Sequence, residues 1–114
     1  MTTIYHNPRC SKSRETLKLL EERGIEPEVV LYLENTPSAD ELKGLLSKLD
    51  ISARDLIRSG EDAYKEQNLA DTSLTEAQLI EAMVAHPKLI QRPIVVNGEK
   101  AALGRPPEAV LDIL

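Results

Sequence analysis

Residues 5–14 read YHNPRCSKSR and join a short apolar strand to a helix. The first turn of a helix has unpaired backbone N–H groups and the positive end of the helix dipole, which favours Asp or Glu. This segment instead places Arg9, Lys12 and Arg14 around Cys10, in a chain whose net charge is −5. A Cys10 thiolate and an external oxyanion bound by the N–H groups would resolve this conflict. The segment therefore predicts a reactive cysteine at the start of a helix.

Cys10 is the only cysteine, and the alternative to a reactive thiol is a buried, inert one. A thiol at a helix N-terminus beside cations has its pKa lowered to about 3.5–7.5, so it attacks as a thiolate near neutral pH. A Cys-x-x-Cys motif would place a resolving thiol at position 13, where this chain has Ser13. A covalent adduct on Cys10 would therefore need a thiol from another molecule for its reduction.

Three further residues are candidates for supporting roles, each with a simpler alternative. Ser13 either hydrogen-bonds the thiolate or is an ordinary serine at a helix terminus. His6 either tunes the thiol or faces solvent. Pro93 either follows a cis peptide bond or is a trans proline at the start of a strand. The residues alone leave these alternatives open.

Three later arginines, Arg58, Arg92 and Arg105, are candidates for binding an oxyanion. The guanidinium fork matches tetrahedral oxyanions bidentately, whereas the alternative for each arginine is a solvated surface side chain. Arg92 and Arg105 flank a predicted hairpin, so we expect them to lie close to each other. Spacing gives no such expectation for Arg58.

Length and composition limit the class of protein. The 114 residues fit one domain, and we predict a single domain over residues 1–114. Phe and Trp are absent, so Leu, Ile, Val and Ala must form the core. The pI near 5.0 argues against a surface for duplex nucleic acid, and we predict no nucleic-acid partner. A protein partner remains open.

Cysteine usage and hydropathy predict a cytoplasmic location. One cysteine cannot form an intramolecular disulfide, and the first residues lack the basic and apolar regions of a signal peptide. No apolar run approaches the roughly 18 residues that span a bilayer, so no membrane partner is predicted. With two histidines and no cluster of spaced ligands, we predict no metal site and no bound cofactor.

Turn formers and helix caps divide the chain into alternating elements. Capping-box patterns begin helices at Ser38 and Thr75, and Gly24 follows a first helix as its C-cap. Asn97-Gly98 predicts a type I′ turn in a hairpin. The predicted strands are 3–5, 28–33, 93–96 and 99–103, and the predicted helices are 11–23, 39–49, 52–57, 61–67, 76–86 and 107–114.

This order predicts the fold class. A strand, a helix and a second strand at this spacing form a βαβ unit with parallel strands. The hairpin adds two antiparallel strands, which gives one mixed four-stranded sheet with helices packed on it. The α/β order is that of the thioredoxin-like architecture, with a helical insertion between the βαβ unit and the C-terminal ββα unit.

Taken together, these motifs resemble the glutaredoxin-linked arsenate reductases (the ArsC family). The similarity runs in order over essentially the whole chain. Two of the motifs, YHNPxC and QRPIVV, are specific in combination. The motifs are YHNPxC at residues 5–10, Arg58, QRPIVV at 91–96, GRPP at 104–107 and VLDIL at 110–114.

The resemblance implies a thioredoxin-like fold, a cis proline at Pro93, a Cys10 nucleophile, and an oxyanion held by Arg58, Arg92 and Arg105. It also implies arsenate as substrate, glutathione as the reducing co-substrate and glutaredoxin as the protein partner. Two alternatives belong to related proteins: a redox-responsive transcriptional regulator of the Spx type, and a glutathione-linked oxidoreductase with another substrate. Ser13 counts against the regulator, because such regulators often carry Cys-x-x-Cys.

Overall fold

The computed structural model describes residues 2–114, which fold into four strands, five α-helices and two 3₁₀ helices. The strands are β1 (Thr2–His6), β2 (Glu28–Leu31), β3 (Ile94–Asn97) and β4 (Lys100–Leu103). The α-helices are α1 (Ser11–Glu22), α2 (Ala39–Leu49), α3 (Ala53–Leu56), α4 (Asp62–Glu66) and α5 (Glu76–Ala85). The 3₁₀ helices are Pro87–Leu89 and Pro107–Ile113. No helix within the described residues is long and apolar enough to cross a membrane.

The chain divides into two compact units. The sheet unit comprises residues up to 35 and residues 92–114, and the helical unit comprises residues 36–91. The single domain expected over residues 1–114 stays a prediction.

The sheet unit contains all four strands in the order β2-β1-β3-β4. Strands β1 and β2 are parallel, whereas β1–β3 and β3–β4 are antiparallel. Ile4 on the central strand pairs with Val29 on one side and Val95 on the other. The predicted mixed sheet of a βαβ unit and a hairpin is confirmed.

Helix α1 packs its apolar face on this sheet. The core contains Ile4, Leu20, Val95 and Val110, each fully buried, and Val110 comes from the C-terminal 3₁₀ helix. That element was predicted as a helix without regard to type, and its hydrogen bonding is of the tighter 3₁₀ kind. Beyond α1, Gly24 has a φ of +75°, which fits the predicted glycine at the helix C-terminus.

The hairpin forms, but its turn differs from the prediction by one residue. Asn97 pairs with Lys100, so the two turn residues are Gly98 and Glu99 rather than Asn97 and Gly98. Gly98 alone of the two has a positive φ, of 63°. Asn97 ends β3 because its side-chain amide donates to the Ile113 carbonyl at 2.7 Å. This tertiary contact uses the residue that local turn chemistry would place in the loop.

In the helical unit, side-chain caps fix where helices begin. The Ser38 hydroxyl accepts from the Glu41 N–H, and Ser52 accepts from the Asp55 N–H. At Thr75 both halves of the capping box form, with Gln78 as the partner. The buried faces of α2, α3 and α5 then supply the apolar interior of this unit. Its fully or almost fully buried members include Leu42, Leu45, Leu46, Leu56, Leu79, Ile80 and Met83.

Candidate active site

Cys10 occupies the N-cap position of α1, directly after the loop that follows β1. The backbone there is extended, with a φ of −94° and a ψ of 123°, and the Cys10 N–H donates to the Asn7 carbonyl at 3.0 Å. An N-cap side chain faces the N–H groups of the second and third helical residues, here Lys12 and Ser13. Cys10 is a free thiol of intermediate exposure, so it is accessible rather than buried as an inert thiol would be.

The surroundings of Cys10 favour its thiolate. Burial raises the pKa of the Cys10 thiol, but four interactions lower it below its usual value of 9.0. These are the influence of the Ser13 N–H, of the Arg92 side chain and of the Lys12 N–H, together with the charge of Arg92. The cation responsible is therefore Arg92, from a distant part of the chain. Sequence reasoning had instead relied on the three cations of the loop itself.

His6 and Ser13 form a buried pair behind the loop. The His6 Nδ1 atom lies 2.6 Å from the Ser13 hydroxyl, which also accepts from the Asn7 N–H at 3.0 Å. The group of Ser13 that acts on the thiol is thus its backbone N–H, while its hydroxyl holds His6. His6 is 6% exposed, so the solvent-facing alternative is wrong. Burial first, and then the charge of Arg14, lower the pKa of His6.

Strand pairing brings Arg92 and Arg105 to the Cys10 loop. Tyr5 near the end of β1 pairs with Ile94 at the start of β3, and Ile94 pairs with Leu103 at the end of β4. Residues 92–93 and 104–105 therefore lie side by side, and the Arg105 Nη1 donates to the Arg92 carbonyl at 3.4 Å. The expected closeness of these two arginines is confirmed. Within residues 2–114 the buried Nε of Arg92 has no hydrogen-bond partner.

The peptide bond before Pro93 is cis, as the resemblance implied. A second cis bond precedes Pro106, which sequence reasoning missed. Gly104 was also missed as a packing position. A Cβ at Gly104 would lie 2.5 Å from the Thr16 Oγ1 and 2.6 Å from the Pro93 Cγ, so only glycine permits the observed approach without movement of these neighbours. The only sequence signal was a glycine immediately before Arg-Pro.

Arg58 belongs to the helical unit and lies two residues after the end of α3. Its backbone N–H donates to the Leu89 carbonyl at 2.7 Å. Its Nε lies 3.5 Å from the Glu61 carboxylate, and its buried Nε and Nη1 have no hydrogen-bond acceptor among the described residues. Its expected part in the same oxyanion site as Cys10 stays a prediction.

One cleft of the helical unit does not carry the predicted chemistry. This cleft of about 720 Å³ is lined by residues such as Lys43, Asp50 and Glu76, and by none of the predicted site residues. A smaller cleft of about 220 Å³ is lined by His6 and Arg9 of the Cys10 loop, among others. Within residues 2–114, no group of three or more His, Cys, Asp or Glu side chains is arranged to hold a metal ion.

Comparison with known proteins gives consistent matches over nearly the whole chain. The model of the ArsC family matches residues 5–113. The chain is 64% identical over 112 residues to the uncharacterized protein YfgD of Escherichia coli strain K12, covering 97% of this chain and 94% of that one. It is 52% identical over 112 residues to the arsenate reductase of Haemophilus influenzae, covering 97% of each chain.

A solved structure of arsenate reductase from Vibrio cholerae superposes with a TM-score of 0.97 at 55% identity, covering 99% of this chain and 97% of that one. This similarity confirms the thioredoxin-like fold. Because the family model spans almost the entire sequence, and relatives more than half identical align over nearly their full length, the chain belongs to the ArsC family.

Proposed function

We propose that this protein is an arsenate reductase that uses Cys10 as its nucleophile and takes its electrons from glutathione and glutaredoxin. The observation that carries the proposal is the partly exposed Cys10 at the N-terminus of α1, where the N–H groups of Ser13 and Lys12 and the side chain of Arg92 lower the pKa of the thiol. Membership of the ArsC family, and the arsenate reductases of Haemophilus influenzae and Vibrio cholerae among its relatives, support arsenate as the substrate.

The first steps join two sulfurs to arsenic. The Cys10 thiolate attacks arsenic(V), an S–As bond forms, and one arsenate oxygen takes up protons and leaves as water. Glutathione then attacks the arsenic through its own sulfur and displaces a second oxygen as water. No redox change has occurred at this point, because arsenic is still arsenic(V).

Reduction follows when a glutaredoxin thiolate attacks the sulfur of the bound glutathione. The As–S bond to glutathione breaks and its electron pair stays on arsenic, which becomes arsenic(III), while a glutaredoxin–glutathione disulfide forms. Water then releases arsenite and restores the Cys10 thiolate. The second thiol is external because Ser13 stands where a resolving cysteine would be. We infer that the cycle runs in a reducing, cytoplasmic compartment.

The arginines make the first step possible, since a thiolate and an arsenate anion repel each other. In the proposed site, Arg92, Arg105 and Arg58 bind the arsenate oxygens and neutralise their charge. Arg92 has an additional part, because it also stabilises the thiolate. Its Nε is buried and has no partner within residues 2–114, and an arsenate oxygen is an acceptor that would fit this donor.

The test is reconstitution of the reaction with purified components. We expect arsenite to accumulate when the protein is mixed with arsenate, glutathione and glutaredoxin, and to fall to background when either thiol component is left out. Cys10→Ser should abolish the reaction, because an alcohol at this position has no accessible anion near neutral pH. Arsenite formation that persists in Cys10→Ser would overturn the proposal.

A negative result would also be informative. If Cys10 formed a mixed disulfide with glutathione but no arsenite appeared, the alternative of a glutathione-linked oxidoreductase with another substrate would replace the arsenate reductase.

A further inference from the structure

Arg58 has buried hydrogen-bond donors that nothing in the described chain uses. Its backbone is fixed by the bond from its N–H to the Leu89 carbonyl and by the neighbouring bridge between Ile57 and Ile90. Its side-chain Nε and Nη1 are buried, yet neither has a hydrogen-bond acceptor within residues 2–114. A buried donor without an acceptor is unfavourable, so the guanidinium is prepared for an anion that brings its own oxygens.

One carboxylate stands close to these donors without satisfying them. The Glu61 Oε2 lies 3.5 Å from the Arg58 Nε, within ion-pair distance but too far for a good hydrogen bond. The two side chains are only 25% and 22% exposed, respectively, so water screens the pair incompletely.

The position of Glu61 is not explained by helix capping. Glu61 is the N-cap residue of α4, where a side chain ordinarily accepts from the first N–H groups of the helix. Its carboxylate makes no such bond and is directed instead toward Arg58. The ion pair with Arg58 is therefore the interaction that the Glu61 carboxylate makes in this structure.

We propose that Glu61 is a positioning residue that acts through Arg58 and lowers the affinity of this arginine for oxyanions. This inference rests on the proposed function, because it takes Arg58 to be an oxyanion-binding residue. Glu61 cancels the charge of Arg58 while no anion is bound, and its own negative charge repels the anion that arrives. The repulsion grows with the charge of the anion, so Glu61 disfavours tetrahedral dianions more than tetrahedral monoanions.

The direct test is sulfate binding to the full chain with Glu61→Gln, which keeps the size of the side chain and removes its charge. Sulfate is a stable tetrahedral dianion, and its binding can be followed through the NMR signals of the arginine Nε–H groups. We expect the dissociation constant to fall by at least about fivefold, which is the effect of removing one unit charge a few ångströms away in bulk water and therefore the lower limit for this partly buried pair. The gain should shrink as salt is added and should be smaller for perchlorate, a tetrahedral monoanion.

Two controls make the result specific. Glu66→Gln changes the net charge by the same amount at an exposed position of the same helix and should leave sulfate binding unchanged. In an Arg58→Ala background, Glu61→Gln should give a smaller gain, because only the direct repulsion between Glu61 and the anion is then relieved. If Glu61→Gln folds poorly, Glu61→Ser removes the same charge while supplying a preferred N-cap residue.

Unchanged or weaker sulfate binding in Glu61→Gln would overturn the inference, as would an equal gain in Glu66→Gln or in the Arg58→Ala background. With arsenate, the same variant should lower KM by a similar factor and change kcat little, which a purely structural role would not produce. Tighter sulfate binding without any arsenate reduction would leave the inference standing and remove the proposed function. Arsenate reduction without a change in sulfate binding would remove the inference and leave the proposed function standing.

Discussion

Cys10 stands where most helices carry an oxygen. Ser, Thr, Asp and Asn are preferred at the N-cap because their side chains accept from the first N–H groups. A thiolate can do the same, and the N–H groups of Ser13 and Lys12 indeed lower the pKa of Cys10. The Cys10 side chain forms no cap hydrogen bond in this structure, so the effect of these N–H groups is on the pKa of the thiol. A neutral thiol would accept hydrogen bonds from them only weakly.

His6 predicts how stability responds to acid. Burial and the charge of Arg14 lower its pKa from 6.5, so the folded chain resists protonation at His6 whereas the unfolded chain does not. Below pH 6.5 the unfolded state binds more protons than the folded state. Stability therefore decreases as the pH is lowered, until the folded His6 is also protonated. We expect His6→Asn to remove this contribution. Below pH 6.5 the unfolding free energy of the variant should then decrease less steeply than that of the native chain, by up to about 1.4 kcal/mol per pH unit.

The measurement is urea unfolding of both proteins at a series of pH values. Slopes rather than absolute stabilities are compared, because His6→Asn also changes the contact with Ser13. Equal slopes for the two proteins below pH 6.5 would show that His6 does not titrate in the expected way.

The residues around Cys10 also show which features of the site could be predicted from the sequence. The nucleophile was predictable, since Cys10 is unique and lies between a strand and a helix. The arrangement around it was not. The loop cations suggested the source of charge, but Arg92 supplies it, and the Ser13 hydroxyl holds His6 rather than the sulfur. Such pairings depend on side-chain directions that spacing does not contain.

At the scale of elements, the capping box of α5 gives a clean prediction. The Thr75 hydroxyl accepts from the Gln78 N–H at 3.2 Å, and the Gln78 side chain accepts from the Thr75 N–H at 2.8 Å. Replacing Thr75 by Ala removes the first bond and leaves an orphan donor, so we expect a loss of about 1 kcal/mol in unfolding free energy. Urea unfolding monitored by circular dichroism measures it.

Thr72→Ala is the matched control, because Thr72 is exposed and lies in the turn before the same helix. The expectation is contradicted if the two variants unfold at the same urea concentration.

The starts of three helices followed local chemistry. Ser38, Ser52 and Thr75 begin helices as their sequence patterns predict. The hairpin turn moved by one residue because Asn97 bonds the Ile113 carbonyl, a contact with the far end of the chain. Asn-Gly is a strong turn signal, but it describes only the free energy of the turn itself.

For the molecule as a whole, sheet topology explains why distant segments of the sheet unit lie together. β3 runs antiparallel to β1, so the residues before β3 lie beside the loop after β1, and β4 returns Arg105 to the same edge. The order of strands and helices was enough to predict the mixed sheet, and hence that Arg92 and Arg105 lie together. The close approach of Gly104 to Thr16 and Pro93 depends on packing that strand order does not determine.

The account depends on Cys10 being a thiolate that is stabilised by Arg92, and a pH titration of thiolate absorbance tests this most directly. We predict a pKa below 9.0 for Cys10 in the native chain, and a higher pKa in Arg92→Ala, because the charge and side chain of Arg92 both lower it. Arg23→Ala, which removes an exposed charge at the far end of α1, should leave the pKa unchanged. A native pKa of 9.0 or higher that does not respond to Arg92→Ala would contradict the account.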